Sequence, residues 1–338
     1  MQSLIQNNGP VQVEPLAKPA GTGSNWPSRR VPVEAPARAA TCTAPGGPEA
    51  ASHTPCDCGQ PNCCTCREKK ALKKAVASAY RNPFYNNNFD YLCDPCYDDW
   101  HLGENLKRMA ITDWATVDVG GQYRLRHHSE RGIRNGAPFG LGLTGYDDDF
   151  LLHRTRLYAN AELGNRVRFY GEMLDAVSNY EEFNPRVIEE NRTEMQNLFL
   201  DLVVLDPEAA GGKLTARVGR QELAYGSERL ISPLDWANTR RTFEGAKLIW
   251  QGESWDLDGF WARPLRRDVQ ALDPPDLDRQ FYGLFSTYKG LPRDKVDFYW
   301  LAYDNDLIGF RYDTLASRYY GSYDAWLYDL EGGVQFGA

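Results

Sequence analysis

The 338-residue chain has no apolar run approaching the ~18 residues of a membrane helix, and its mean hydropathy is −0.56, which excludes a helical membrane protein. A barrel is not excluded, because its strands alternate apolar with polar residues. The opening MQSLIQNNGP lacks both a basic start and an apolar stretch, so no signal peptide is legible and the leader is read as lost or the start as misassigned. Aromatics are nearly missing from residues 1–66, where Trp26 stands alone among 10 of the 20 prolines and six of the 8 cysteines. Such a stretch cannot bury enough apolar surface to offset its ordering entropy. Residues 1–55 are therefore expected to be a disordered Pro-rich leader.

Basic charge is in the minority, 38 Lys and Arg against 46 Asp and Glu, and the net of −8 argues against nucleic acid as a partner. HExxH, GxSxG, P-loop and Rossmann signatures are all missing, so no cofactor is called for. The acidic pairs Asp147-Asp148 and Glu189-Glu190 suit a glycosidase or lyase in composition, but they fall in loops where such pairs are ordinarily solvated. No enzyme is expected.

What is present falls into two further parts. Residues 56–114 hold a Cys-rich stretch, a short helix and an aromatic connector. The helix is REKKALKKAVASAY, with Leu72, Val76 and Ala79 on one face, ended at Asn82-Pro83. From residue 115 to 338 about eleven segments of alternating pattern follow one another between Gly, Pro, Asn and Asp clusters, which is the texture of an antiparallel meander. Each is near the ~9–11 residues that cross a bilayer as a tilted strand.

Alternation puts Arg124, Arg126, Arg154, Arg156, Arg166 and Arg168 on one polar face, with Glu162, Glu172 and Asp201 beside them. Arg217 shares that face, while Arg220 falls on the other. Aromatics near segment ends, among them Tyr158, Trp250, Trp255, Tyr288 and Trp326, are expected to form interfacial girdles. Long loops are expected at 129–149, 176–193 and 223–241, opposite short turns. The fold is expected to be an all-β, up-and-down transmembrane β-barrel.

Past residue 115 there are 22 Arg but only 4 Lys. Solubility needs no such bias. Arg supplies a planar fork that grips carboxylates bidentately and stays charged in any environment. The matching ligand is an anionic polymer, and the same residues could instead pair with the acidic groups to brace the wall.

The runs GGQYRLRHHSE, DDDFLLHRTRLYANAE, NPRVIEENRTEMQNLFLD, VGRQELAYGSERLISPLDWANTRRTFEGAKL and YDLEGGVQFG resemble the alginate export family of outer-membrane barrels. FDYLCDPCY resembles the N-terminal extension of its planctomycete members. The resemblance implies a barrel of about 18 strands in the outer membrane, with lipid around it and an arginine-lined lumen conducting an alginate-like polyuronate. It also places weight on Arg220. Against that strand number the chain is read as incomplete, a fragment or part of an assembled barrel. The alternatives are a general anion-selective porin and a soluble carbohydrate-active β-protein. Periplasmic export partners stay unspecified. Cys93 and Cys96 form a CxxC that can be a disulfide, a redox pair or a metal half-site, and the disulfide leads for a periplasmic segment. Cys56, Cys58, Cys63, Cys64 and Cys66 have CxC and CCxC spacing that fits zinc poorly, so no metal is assigned.

Overall fold

The structure is a computed structural model that describes residues 66–134, 145–268 and 271–337. The expected disordered leader at 1–55, and Cys56, Cys58, Cys63 and Cys64, lie outside the described residues.

Twelve antiparallel strands form one sheet in which every strand pairs with its neighbours in sequence, a pure up-and-down order. They are β1 (Met109–Thr112), β2 (Ala115–Arg134), β3 (Tyr146–Leu163), β4 (Val167–Asn179), β5 (Asn191–Leu205), β6 (Gly212–Gln221), β7 (Phe243–Gly252), β8 (Trp255–Pro264), β9 (Arg279–Tyr288), β10 (Asp294–Asn305), β11 (Phe310–Tyr323) and β12 (Trp326–Gly337). The eleven expected segments coincide with β2 to β12. β1 escapes sequence reading because MAIT is too short to show a period.

β2 and β3 run well past the ~11 residues a membrane requires, and much of the loop expected at 129–149 is in fact hairpin. Ser129 stands opposite Asp149 in the extended ladder, and Arg131 ties the two strands by bonding Asp149 at 2.9 Å. The acidic pairs set aside as catalytic candidates are also engaged. Asp147 accepts from the Gly132 N–H at 2.9 Å, and Glu189 from Arg186 at 2.6 Å.

The sheet is inside-out relative to a water-soluble protein. One face exposes Leu157, Phe169, Leu200, Val218, Leu284 and Leu315, while the other buries Arg154, Arg156, Glu172 and Asp297, each about 1% exposed. An apolar outer face with a buried ionic inner face is what lipid outside and a polar interior select. Tyr158 departs from the girdle expectation. It lies on the inner face, stacked 6.0 Å from Tyr170, because it shares a face with Arg156 and Asn160 rather than ending a lipid-facing row.

Loop 222–242, between β6 and β7, shows that the sheet curls. Arg229 reaches Asp329 and Glu331 on β12, and Asp235, six positions on, is bonded by Arg124 on β2. Ten spacings of ~4.8 Å would separate those strands by about 48 Å in a flat sheet, whereas six residues extend over only about 20 Å. The loop therefore lies across the concave face.

The second insertion is N-terminal. Leu72 of α1 (Cys66–Ala77) and Ala79 just beyond it pack against Phe89, Tyr91 and Tyr97 in a small separate core. Three short 3-10 turns follow, and Cys93 and Cys96 are each disulfide-bonded. Glu104 anchors the segment: it accepts from Tyr91 Oη at 2.8 Å, Tyr97 Oη at 2.5 Å and the His101 N–H at 2.9 Å.

Candidate functional site: an arginine-rich inner wall

The inner face of β2 to β6 carries the arginines, and their partners divide them into two groups. Arg124 stands directly across the ladder from Arg154, an arrangement that is repulsive unless something lies over it. Loop 222–242 lies over it. Arg124 donates to the carbonyls of Asp235 (2.9 Å) and Ala237, and Arg126 donates to that of Trp236 at 2.6 Å. Both arginines are thus hydrogen-bonded to neutral acceptors. Arg154 bonds the Asp235 carboxylate at 3.1 Å and shares it with Arg240. Burial pushes the Asp235 carboxyl up, but Arg240 and Arg154 outweigh it and hold the group below the usual carboxylate range.

The other arginines are paired with wall carboxylates. Arg156 bonds Glu172 at 2.6 Å, and Glu172 also accepts from Tyr170 and Asn197. Arg217 grips Asp201 with two bonds of 2.6 and 2.9 Å, and Arg168 approaches the same carboxylate at 3.6 Å. Glu162, expected beside these, pairs instead with Arg108 at 2.6 Å. Arg166 sits in the β3–β4 turn against Asp206, exposed. Arg220 pairs in register with the outward Leu198 and ties Glu194 and the Asp273 carbonyl together, which holds the 265–278 loop.

Sequence reading missed Asp235, Arg240 and Glu222, since loop residues carry no periodicity. Arg240 joins Asp235 to Glu222 and is wholly buried, so it clamps the loop onto the wall. It missed Lys107 as well. The Lys107 ammonium donates to the Val119 carbonyl at 2.5 Å and to Tyr158 Oη at 2.9 Å. It fits because residue 120 is glycine: a Cβ there would stand 2.4 Å from the Lys107 Nζ and 2.7 Å from Tyr158 Oη.

The opposite wall carries an apolar patch beside the buried Arg318–Asp297 pair. Phe243, Phe260, Phe285, Tyr299 and Leu301 form a core with Leu223, Tyr225 and Ile231 of the loop, Tyr225 stacking 4.7 Å from Phe285. Toward the short turns a cavity of about 930 Å³ opens. Its charges balance: Arg108, Arg166, Arg168, Lys213, Arg217 and Lys247 face Asp90, Asp113, Glu162, Asp201, Asp256 and Asp258. The excess of positive charge lies deeper, at Arg124, Arg126 and Arg154. Among the described residues no three metal-ligating side chains converge.

Residues 115–338 match the family described as alginate export, from the first residue of β2 to the end of the chain. The chain belongs to the alginate export family. It is an outer-membrane β-barrel protein of a polysaccharide export channel, and no helix among the described residues is long and apolar enough to cross a membrane. No curated protein matches it. The alginate export match leaves α1, the 3-10 turns and β1 outside.

Proposed function

We propose that the channel conducts an anionic polysaccharide, a polyuronate, as a passive conduit with no chemical step. The observation that carries this is the unequal pairing of the inner arginines. Arg156 and Arg217 are neutralised by carboxylates of the wall, whereas Arg124 and Arg126, among the described residues, hydrogen-bond only backbone carbonyls and feel the Asp235 carboxylate that Arg154 and Arg240 already bond. A carbonyl satisfies the hydrogen bond but brings no counter-charge, so a uronate carboxylate arriving there adds an opposite charge and a bidentate geometry that the carbonyl lacks. The facing arginines Arg124 and Arg154 have only the Asp235 carboxylate, shared with Arg240, beside them among the described residues, so a further anion relieves their mutual repulsion. Each contact must also release its ligand for the chain to advance, and a row of solitary sites does so more readily than one deep site.

Calorimetry on the detergent-solubilised protein, with an oligouronate and a neutral oligosaccharide of equal length, tests the reading. The oligouronate should bind at least ~tenfold more tightly, a difference of about 1.4 kcal/mol, and should weaken as salt rises. Equal affinities would leave a channel without preference for acidic polymers. The same preference for chloride as for a uronate unit would favour a general anion porin.

A further inference from the structure

The inner wall already has an occupant. Phe84 lies under the Arg156 guanidinium, 3.8 Å from ring centre to Cζ, and Arg156 reaches Asn82 at 3.4 Å. Tyr85 wedges edge-on between Tyr170 (5.9 Å) and Phe199 (5.4 Å), with Arg217 over its ring at 4.8 Å. Its carbonyl accepts from Arg168 at 2.6 Å, and its hydroxyl donates to the Glu222 carbonyl at 2.9 Å. Lys107 pins the far end to β2 and β3. Residues 80–107 thus touch β2 through β6 and join loop 222–242, which itself reaches β12.

We propose that residues 80–107 are a resident plug of this channel, a segment of the chain itself that occupies the arginine wall until the exported polymer displaces it. Three features support displacement rather than permanent bracing. The plug is attached outside the region that matches the family, which begins at residue 115. It bonds the wall arginines through neutral groups, the Tyr85 carbonyl and the Asn82 amide, and through ring faces, all weaker ligands for guanidinium than a carboxylate. It also shares a small core with the preceding helical segment, Phe89, Tyr91 and Tyr97 packing on Leu72 and Ala79, so the two can leave the wall together without unfolding.

The test compares the full chain with Phe84→Lys, which sets a second cation against Arg156, and with Tyr85→Ala, which only removes contacts and so still reports where the first variant fails to fold. Folding is checked by heat-modifiable electrophoretic migration. In planar bilayers both variants should show single-channel conductance at least twofold above wild type. In vesicles, oligouronate should raise protease cleavage within 80–107 of the wild type at least threefold, while a neutral oligosaccharide should not. Folded variants with wild-type conductance, or cleavage indifferent to oligouronate, overturn the plug. The proposal rests on the chain forming a channel. Absence of current from every folded form overturns both readings, whereas equal non-zero currents overturn the plug alone.

Discussion

Arg124 and Arg154 face each other across the β2–β3 ladder, and both donate to the carbonyl of Asp235, at 2.9 and 3.4 Å. Two like charges therefore share one neutral acceptor in the loop that lies over them.

Replacing Arg124 and Arg126 together with serine should cut anion selectivity, measured as reversal potential across a salt gradient, with a modest loss of stability of about 1–3 kcal/mol from the three loop carbonyls left without these donors. Lysine at both positions should keep the selectivity but bind oligouronate less well, since the bidentate fork is lost. Unchanged selectivity in the serine variant would remove these residues from the conduction path.

Glu172→Gln should behave in the opposite way. It leaves Arg156 buried beside a neutral amide, and breaking a buried pair in this manner costs about 3–5 kcal/mol. Unfolding in denaturant should shift to lower concentration, with selectivity in the surviving folded fraction as in wild type.

Gly120→Val should dislodge Lys107, because the new Cβ would overlap the ammonium and the Tyr158 hydroxyl. Overpacking of this kind costs about 1–3 kcal/mol. The strain falls on the contact between residues 80–107 and the wall, so faster proteolysis of that segment is expected while 115–338 remains resistant.

Acid should loosen the N-terminal segment through Glu104. Burial alone would raise its pKa, but hydrogen bonds from Tyr97, the His101 N–H and Tyr91 outweigh burial and hold it below the usual carboxylate range. A carboxyl depressed on folding contributes stability that is complete above its unfolded pKa and is lost as pH falls through the folded value. Fluorescence of Trp100 should therefore stay constant down to about pH 4.5 and change below it, and Glu104→Gln should abolish that acid transition.

Leu200→Arg tests the lipid-facing side. Leu200 stands between Phe169 and Val218 on the outward face, and an arginine near the bilayer midplane costs about 2–4 kcal/mol. Membrane insertion, scored by folded yield in vesicles, should fall sharply, and no loss would contradict the assignment of faces.

The sequence by itself determined the meander, the eleven longer strands and which residues share a face. Strand periodicity is local: Val218 beside Arg217, or Leu157 beside Arg156, already states outward and inward before any contact is known. It also carried the arginine bias that points to carboxylates. Tertiary structure alone decided which arginines keep their charge free. Arg156 and Arg217 meet Glu172 and Asp201 because adjacent strands bring them into reach, and the intrinsic alternation of one strand says nothing of a neighbour's register. Asp235, Arg240, Tyr85 and Lys107 were illegible for a related reason. They lie in irregular segments whose place on the wall is set by the curl of the sheet and by the room left at Gly120, both of which arise only once distant strands have come together.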